Sequence, residues 1–443
     1  MRTPLADRRA FLRSSVGLTT GAALAFLRDD WWTHVARANE DLGSRFPDEA
    51  AEHEPFWFQI QQAFDIDRSI INLNNGGCCP SPRVVMDAQR RHLEFTNIAP
   101  VRTLWVYMDP QVELVRTRLA KTFGCSSEEM AITRNASESL QIALNGIDLK
   151  PGDEFLTTTQ DYPRMISTIK QRGLREGVVL KQIKIPTPAK TLDEIYELYE
   201  KAVTPKTKVI LTSHVINITG QIMPVKRICT MARERGIWSI VDGAHAFAQF
   251  DYDGGDIGCD MYGVSLHKWL TAPIGTGFLF VRKEKIKDIW PLTAAEQPRS
   301  DNIRKFEEIG THPDAGRLAI AEALTFYEGI GPQRKEARLR YLRDYWAKRV
   351  LSLPKVRLHT NLSPEHSCAI GTVQIDGIES AALSSHLWDA YKIIVTPIKH
   401  DEFTGIRVTP NVFTTLRELD LFCEAMENVA KNGIPPPKDN KSK

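Results

Sequence analysis

Two short stretches decide the reading of this chain: Val241-Asp242-Gly243-Ala244-His245 and, about 25 residues further on, Ser265-Leu266-His267-Lys268-Trp269. Each follows a short β-rich run, Ile237–Val241 and Met261–Val264, so each sits at the carboxyl end of a predicted strand. Open α/β sheets bind ligands beyond those ends. A carboxylate there, with nothing basic beside it in sequence, needs a cationic partner or bears a desolvation cost. A lysine in an apolar pocket can lose its proton and attack a carbonyl carbon. Alone, Lys268 reads equally as a solvated strand-end lysine. The order of the two motifs on neighbouring strands is what carries weight.

Outward from this pair, five more runs have strand character: Met130–Thr133, Glu154–Thr158, Val178–Ile183, Lys208–Thr212 and Thr276–Val281. Helical patterns alternate with them. Leu192–Ala202 puts Ile195, Leu198 and Tyr199 on one face, and another helix starts at Pro224 and stops at Gly236. This alternation predicts an α/β fold with a mostly parallel, seven-stranded sheet. From about Gly316 the pattern becomes α+β: helices Gly316–Glu328 and Gln333–Ser352, strand Thr372–Ile375, helix Glu379–Tyr391, and strands near Ile393–Thr396 and Gly405–Thr409. The division expected is an N-terminal arm over 45–95, a large domain over 96–315, a smaller C-terminal domain over 316–432 and a tail over 433–443. The arm holds a Pro-punctuated lead-in, a strand Ile70–Leu73 and the loop Asn74-Asn75-Gly76-Gly77. The Gly433–Pro437 run reads as the start of a disordered end.

Composition narrows the function. The 443 residues suggest two or three domains, and 42% apolar residues exclude a disordered chain. Fifty-seven basic against fifty-five acidic residues give no support to a nucleic-acid binder. No apolar run reaches the roughly eighteen residues of a spanning helix. Seven cysteines without a CxxC pair form neither a disulfide framework nor a zinc site, and Cys78, Cys79 and Cys368 read as packing residues. His245, His267, Asp242 and Asp260 match no metal-ligand spacing. Near the start, Arg8-Arg9 precede Phe11-Leu12, a mildly apolar stretch Ser14–Leu27 and Ala36-Arg37-Ala38. That pattern, over residues 1–40, predicts a twin-arginine export signal and a periplasmic or exported protein; without it the expectation is cytoplasmic.

A third motif completes the chemistry. Arg134-Asn135-Ala136-Ser137-Glu138-Ser139 follows a predicted strand and opens a helix, which offers free N–H groups and hydroxyls to a phosphate, although a serine N-cap has the same appearance. Phosphate cradle, strand-end Asp for a protonated pyridine nitrogen, and lysine for an aldehyde are the parts that pyridoxal 5′-phosphate requires.

Over roughly residues 55 to 430 these motifs resemble the class V aminotransferase family of fold-type I pyridoxal-phosphate enzymes, which includes cysteine desulfurases, kynureninases and isopenicillin N epimerases. The asparagine loop near the start leans toward the epimerase-like branch. The resemblance implies that Lys268 holds the cofactor as a Schiff base and then shuttles the Cα proton, and that Asp242 keeps the ring nitrogen protonated. It implies that His245 and Asn217, in Ser213–Gly220, reach the ring hydroxyl. The Ala136 amide, Ser137, Ser265 and His267 would hold the phosphate. Gln160 or Tyr162 would cover the ring. Asn75 and Arg407, in Ile406–Thr409, would meet the substrate, Arg407 through its carboxylate. Glu308-Ile309-Gly310-Thr311 resembles a loop that completes the neighbouring subunit's phosphate site, so Thr311 implies a homodimer. Desulfurases need a nucleophilic cysteine before the carboxylate-binding strand, and Val395–Thr404 has none. What remains is an amino-acid-type substrate undergoing transamination, the first expectation, or epimerisation, with Tyr162 or His214 as second acid. A non-catalytic binding protein on the same fold would have no use for Lys268, Asp242, His245 and Arg407 together.

Overall fold

Short runs of Val, Ile, Leu, Phe and Thr leave both strand faces apolar, which suits a parallel sheet covered by helices on each side. The computed structural model describes residues 45–436, together with 35, 36, 39, 40, 42 and 43. The expected export signal, apart from Val35, Ala36, Asn39 and Glu40, and the tail beyond Pro436 lie outside the described residues. After a two-residue strand β1 (Ile71–Asn72) come β2 (Met130–Thr133), β3 (Glu154–Thr158), β4 (Val179–Ile183), β5 (Thr207–Ser213), β6 (Trp238–Asp242), β7 (Met261–Ser265) and β8 (Gly277–Val281). Strands β2 to β8 fall within one residue of the expected runs. They pair in the order β2-β8-β7-β6-β5-β3-β4, with β8 alone running against the rest. The carboxyl ends of β2, β3, β5, β6 and β7 therefore share one edge of the sheet.

Strands β9 (Val356–Leu358), β10 (Gly371–Ile375), β11 (Ile393–Ile394), β12 (Thr396–Lys399) and β13 (Thr404–Val408) follow. Four of them form an antiparallel sheet, β12-β13-β10-β9, over a core that includes Trp346, Val373, Ile406 and Phe422. β11 instead pairs in parallel with β1, Ile71 opposite Ile393, so the arm is joined to the C-terminal body. That pairing brings the Asn74–Gly77 loop against the end of β13.

Two elements differ from expectation. The lead-in is helical, Pro47–Glu52 and Glu54–Gln61, because each proline lies in a first turn, where its missing N–H costs nothing. The Trp57 indole donates to the Ala50 carbonyl at 2.8 Å, and the Arg338 guanidinium reaches Glu54, docking this segment on the helix Pro332–Leu351. The helix expected over Gly316–Glu328 is broken at Ala319, whose ψ of −7° ends Ala315–Leu318 before Ile320–Ile330 begins. No helix among the described residues is long and apolar enough to cross a membrane.

Gly243 follows β6 in close contact with the Tyr262 ring: a Cβ there would lie 1.8 Å from Cε1. Both groups are buried, so neither can step aside. Gly243→Ala should therefore destabilise the protein by about 2 kcal/mol through overpacking. Thermal denaturation measures this, and an unchanged midpoint would contradict the packing described.

Candidate active site

The shared strand edge closes over a cavity of about 190 Å³. Ala136, Ser137, Tyr162, Asn217, Asp242, His245, Ser265, His267 and Lys268 all line it, with Gly77 of the N-terminal loop. Nine of the residues singled out in the sequence thus meet in one space.

The end of β7 holds Lys268 from both sides. Leu266 N donates to Thr276 O at 3.0 Å, Cys79 N donates to His267 O at 3.1 Å, and the buried Lys335 ammonium caps the Trp269 carbonyl. Lys268 Nζ lies 2.9 Å from His245 Nε2. Burial lowers the Lys268 pKa to about 8, although Asp242 pulls it upward. Burial, followed by the Lys268 charge, drives His245 well below its ordinary value, so it is neutral and accepts from Lys268 at Nε2. Its proton then sits on Nδ1, which is buried and has no partner. Asp242 accepts from Ala244 N at 3.0 Å, yet burial still raises its pKa to about 6. The carboxylate sits in a low-dielectric site without enough positive charge beside it.

At the other end, the helix Ala136–Gly146 starts under an Asn135 cap, whose Oδ1 accepts from Glu138 N at 2.9 Å. Ala136 N donates to Ser265 Oγ at 2.9 Å, bringing the two expected phosphate ligands together. Arg407 from β13 does not itself line this cavity but lies behind Asn217, and is 5% exposed. It donates to Asn217 O at 3.0 Å, Asn74 Oδ1 at 2.8 Å and Thr396 Oγ1 at 3.2 Å. None of these carries a negative charge, and burial lowers its pKa to about 10. A buried guanidinium balanced only by neutral acceptors keeps its charge available to an anion.

The donor set fits pyridoxal 5′-phosphate. Only Lys268 favours the Asp242 charge, and not enough to offset burial, so a protonated ring nitrogen would add the cationic partner it lacks. His245 Nδ1, His267 Nδ1 and Asn217 Oδ1 are buried without hydrogen-bond partners, and such groups are costly unless a ligand engages them.

Other expected residues are placed differently. The Gln160 amide is buried and donates to Ile185 O, Thr187 Oγ1 (2.8 Å) and Glu402 Oε2 (3.1 Å), so Tyr162, not Gln160, forms the cavity wall. Asn75 is buried, with Nδ2 donating to Asn72 O at 2.9 Å and Thr409 O at 3.0 Å; its neighbour Asn74 is the one that touches Arg407. His214 lies behind the cavity, Nδ1 2.7 Å from the Tyr262 hydroxyl, and burial lowers its pKa to about 3. It is no candidate for a second acid. Thr311 is exposed and does not line the cavity of its own chain. Cys368 and Cys79 are buried as expected, but Cys78 is exposed, on the loop beside Lys268. All seven cysteines are free.

Asp161 was not legible as a site residue. Its Oδ2 accepts from Thr157 Oγ1 and Thr158 N, and its Oδ1 from Ser213 N and Oγ, all at 2.7–2.8 Å. It fastens the end of β3 to the end of β5, and no local motif announces a bond between residues 52 positions apart.

Fold and site together define a pyridoxal-phosphate enzyme of fold type I. The chain belongs to the class V aminotransferase family, whose profile matches residues 71–399, and its cofactor is pyridoxal 5′-phosphate. It is 28% identical to the isopenicillin N epimerase of Amycolatopsis lactamdurans, over 85% of this chain and 99% of that one. It is 25% identical to a probable cysteine desulfurase of Xylella fastidiosa, over 85% and 96% of the two chains. Among solved structures, a cysteine desulfurase from Thermococcus onnurineus superposes with a TM-score of 0.73 at 19% identity, covering 84% of this chain and 98% of that one. A C-DES variant with glycine linked to its pyridoxal-phosphate cofactor gives 0.71 at 19% identity, covering 82% and 97%.

The raised Asp242 pKa has a measurable sign. Without cofactor, the folded protein holds the Asp242 proton more tightly than the unfolded chain between the ordinary 3.8 and about 6. The contribution of Asp242 to stability therefore falls as pH rises through that window. Relative to Asp242→Asn, the cofactor-free wild type should lose on the order of 2 kcal/mol between about pH 4 and about pH 7. Denaturant titrations across that range check this, and a pH-independent difference would remove Asp242 from the desolvated site.

Proposed function

We propose that this enzyme inverts the Cα configuration of an amino-acid-type substrate. The observation that carries the reading is that two proton-bearing groups, Lys268 at the end of β7 and Tyr162 at the start of the helix Pro163–Glu176, border one cavity beside Arg407. Similarity to isopenicillin N epimerases over nearly their whole length supports it. So does the absence of a cysteine from the turn between β12 and β13, where sulfur transfer would need one.

Each residue has a task set by its surroundings. Arg407 offers its fork to the substrate carboxylate and so fixes the orientation of Cα. Bound pyridoxal phosphate supplies the electron sink that makes the Cα proton acidic. Asp242, ionised against the ring nitrogen, favours that sink. Lys268, with its pKa lowered to about 8, has a useful neutral fraction near neutral pH and takes the proton at Nζ. Tyr162, 38% exposed, returns a proton from its hydroxyl, and water resets the phenolate and the Lys268 ammonium after product leaves. Aminotransfer would need Lys268 alone, so Tyr162 separates the two readings.

The test is incubation of the cofactor-loaded protein with single L- and D-amino acids in heavy water, without any keto acid. Deuterium at Cα with loss of optical activity is the expected result; keto-acid release with bleaching of the visible band would establish aminotransfer instead. Lys268→Ala should abolish both exchange and the visible band. Tyr162→Phe should retain exchange from one enantiomer while inversion falls about 100-fold. Arg407→Leu should raise KM about 50-fold with cofactor content unchanged.

We also propose that the enzyme works as a homodimer, with Thr311 serving the partner's phosphate site. A helix Arg83–Ile98, a turn Pro100–Arg102 and a π-helical turn Thr103–Met108 leave Ile98 and Val101 more than 60% exposed and Trp105 and Val106 more than half exposed. Exposed apolar side chains so close in sequence support a subunit contact there. Sedimentation should give a dimer for the wild type and a monomer for Val106→Asp, whereas a wild-type monomer that still holds cofactor would exclude the arrangement.

A further inference from the structure

The turn His400-Asp401-Glu402-Phe403 between β12 and β13 belongs to the smaller sheet, yet its side chains grip the larger one. Thr159 Oγ1 donates to Glu402 Oε1 at 2.7 Å, and Gln160 Nε2 donates to Glu402 Oε2 at 3.1 Å. His400 Nε2 meets the Thr159 carbonyl at 3.0 Å, and Glu402 N donates to His400 Nδ1 at 3.2 Å. A carbonyl only accepts, so the imidazole proton is on Nε2, which leaves Nδ1 free to accept from Glu402 N. The two contacts fix one tautomer and support each other. Both carboxylate oxygens and both ring nitrogens are thus engaged with, or support engagement of, the same two residues of the larger body.

Those two residues lead directly to Tyr162. The turn Thr159-Gln160-Asp161 is held from beneath by Asp161, bound to β3 and to Ser213, and from above by Glu402 and His400. The lower hold lies within one sheet. The upper hold joins two bodies and is the one that a relative movement of the smaller sheet would release. Tyr162 comes next, 38% exposed, with its side chain on the cavity wall.

We propose that Glu402 and His400 are positioning residues, forming a clasp that holds Tyr162 as the outer wall of the cavity, so that approach of the smaller sheet and placement of Tyr162 are one event. This deepens the function proposed above and rests on cofactor binding at Lys268. The clasp gives the cysteine-free turn a task of its own: it is a fixed brace and not a carrier of a reactive group.

The test uses hydroxylamine as a probe of the cavity, following the loss of the visible band of cofactor-loaded protein. Thr159→Val should react about fivefold faster than wild type, the factor expected for one lost hydrogen bond, and Glu402→Ala, which loses the bonds to both Thr159 and Gln160, should react at least that much faster. Thr159→Ser, which keeps the hydroxyl, should match wild type. Tyr162→Ala should react at least as fast as Glu402→Ala, and the double variant no faster than Tyr162→Ala alone, because the clasp acts through Tyr162. Amide exchange on cofactor-free protein is the second readout: the peptide containing Thr159 to Tyr162 should exchange faster in Glu402→Ala, while the helix Ala136–Gly146 should not. Wild-type rates and exchange in both Glu402→Ala and Thr159→Val, or multiplicative rates in the double variant, would overturn the clasp. A wild-type protein with no visible band would instead indict the cofactor reading, leaving the exchange result to judge the clasp by itself. If Glu402→Ala fails to fold, Thr159→Val carries the comparison.

Discussion

The site depends on two opposite charges confined where neither is well solvated. Asp242 is buried and Lys268 half-buried at the ends of adjacent strands, and desolvation moves their pKa values toward each other, to about 6 and about 8. Such a pair is costly to a fold and useful to a catalyst. It persists because the surrounding backbone leaves the chain no alternative. β6 and β7 pair in parallel with Asp242 opposite Gly263, and Gly243 lies against the Tyr262 ring, so neither strand end can turn its polar group outward. His245, kept neutral by burial and by the lysine charge, joins the pair without adding a third charge.

The same economy of charge appears at Arg407. Its three bonds go to a backbone carbonyl, an amide and a hydroxyl, contributed by the loop after β5, the N-terminal loop and β12. These acceptors orient the guanidinium without neutralising it. A carboxylate in place of Asn74 would give a firmer ion pair but would close the position to a substrate anion. The parallel contact of β1 with β11 matters for this reason: it carries Asn74 to the rim, across more than 300 residues of sequence.

Much of this was legible beforehand, and the boundary has a physical cause. The strands β2 to β8 could be read because parallel strands buried on both faces are continuous apolar runs. Asp242, His245, Ser265 and Lys268 could be read because each motif lies within one strand end. Gln160, Asn75 and His214 serve the scaffold in a way their local sequence does not show, because their roles depend on partners from elsewhere: Glu402 for Gln160, Thr409 for Asn75, Tyr262 for His214. A polar side chain near a site serves either the ligand or the scaffold, and only its neighbours decide which. Asp161 was overlooked for the same reason. The helical lead-in was missed because its prolines resemble breaks until their first-turn positions are seen.

Relatives with one fold and one cofactor include epimerases and desulfurases, so the lysine, the aspartate and the phosphate cradle do not select the reaction. Selection falls to whatever borders the cavity beyond them. In this chain the turn before β13 brings Glu402 and His400 against Thr159 and Gln160 and carries no thiol; the buried Cys368, its pKa raised to about 12 by desolvation, is in no condition to act as a nucleophile. Tyr162 occupies the wall because Asp161 and Glu402 hold the preceding turn from two sides. On the reading proposed above, changing the outcome of Cα chemistry on this scaffold means changing a surface turn and the residue it braces, while the strand ends that hold the cofactor stay as they are.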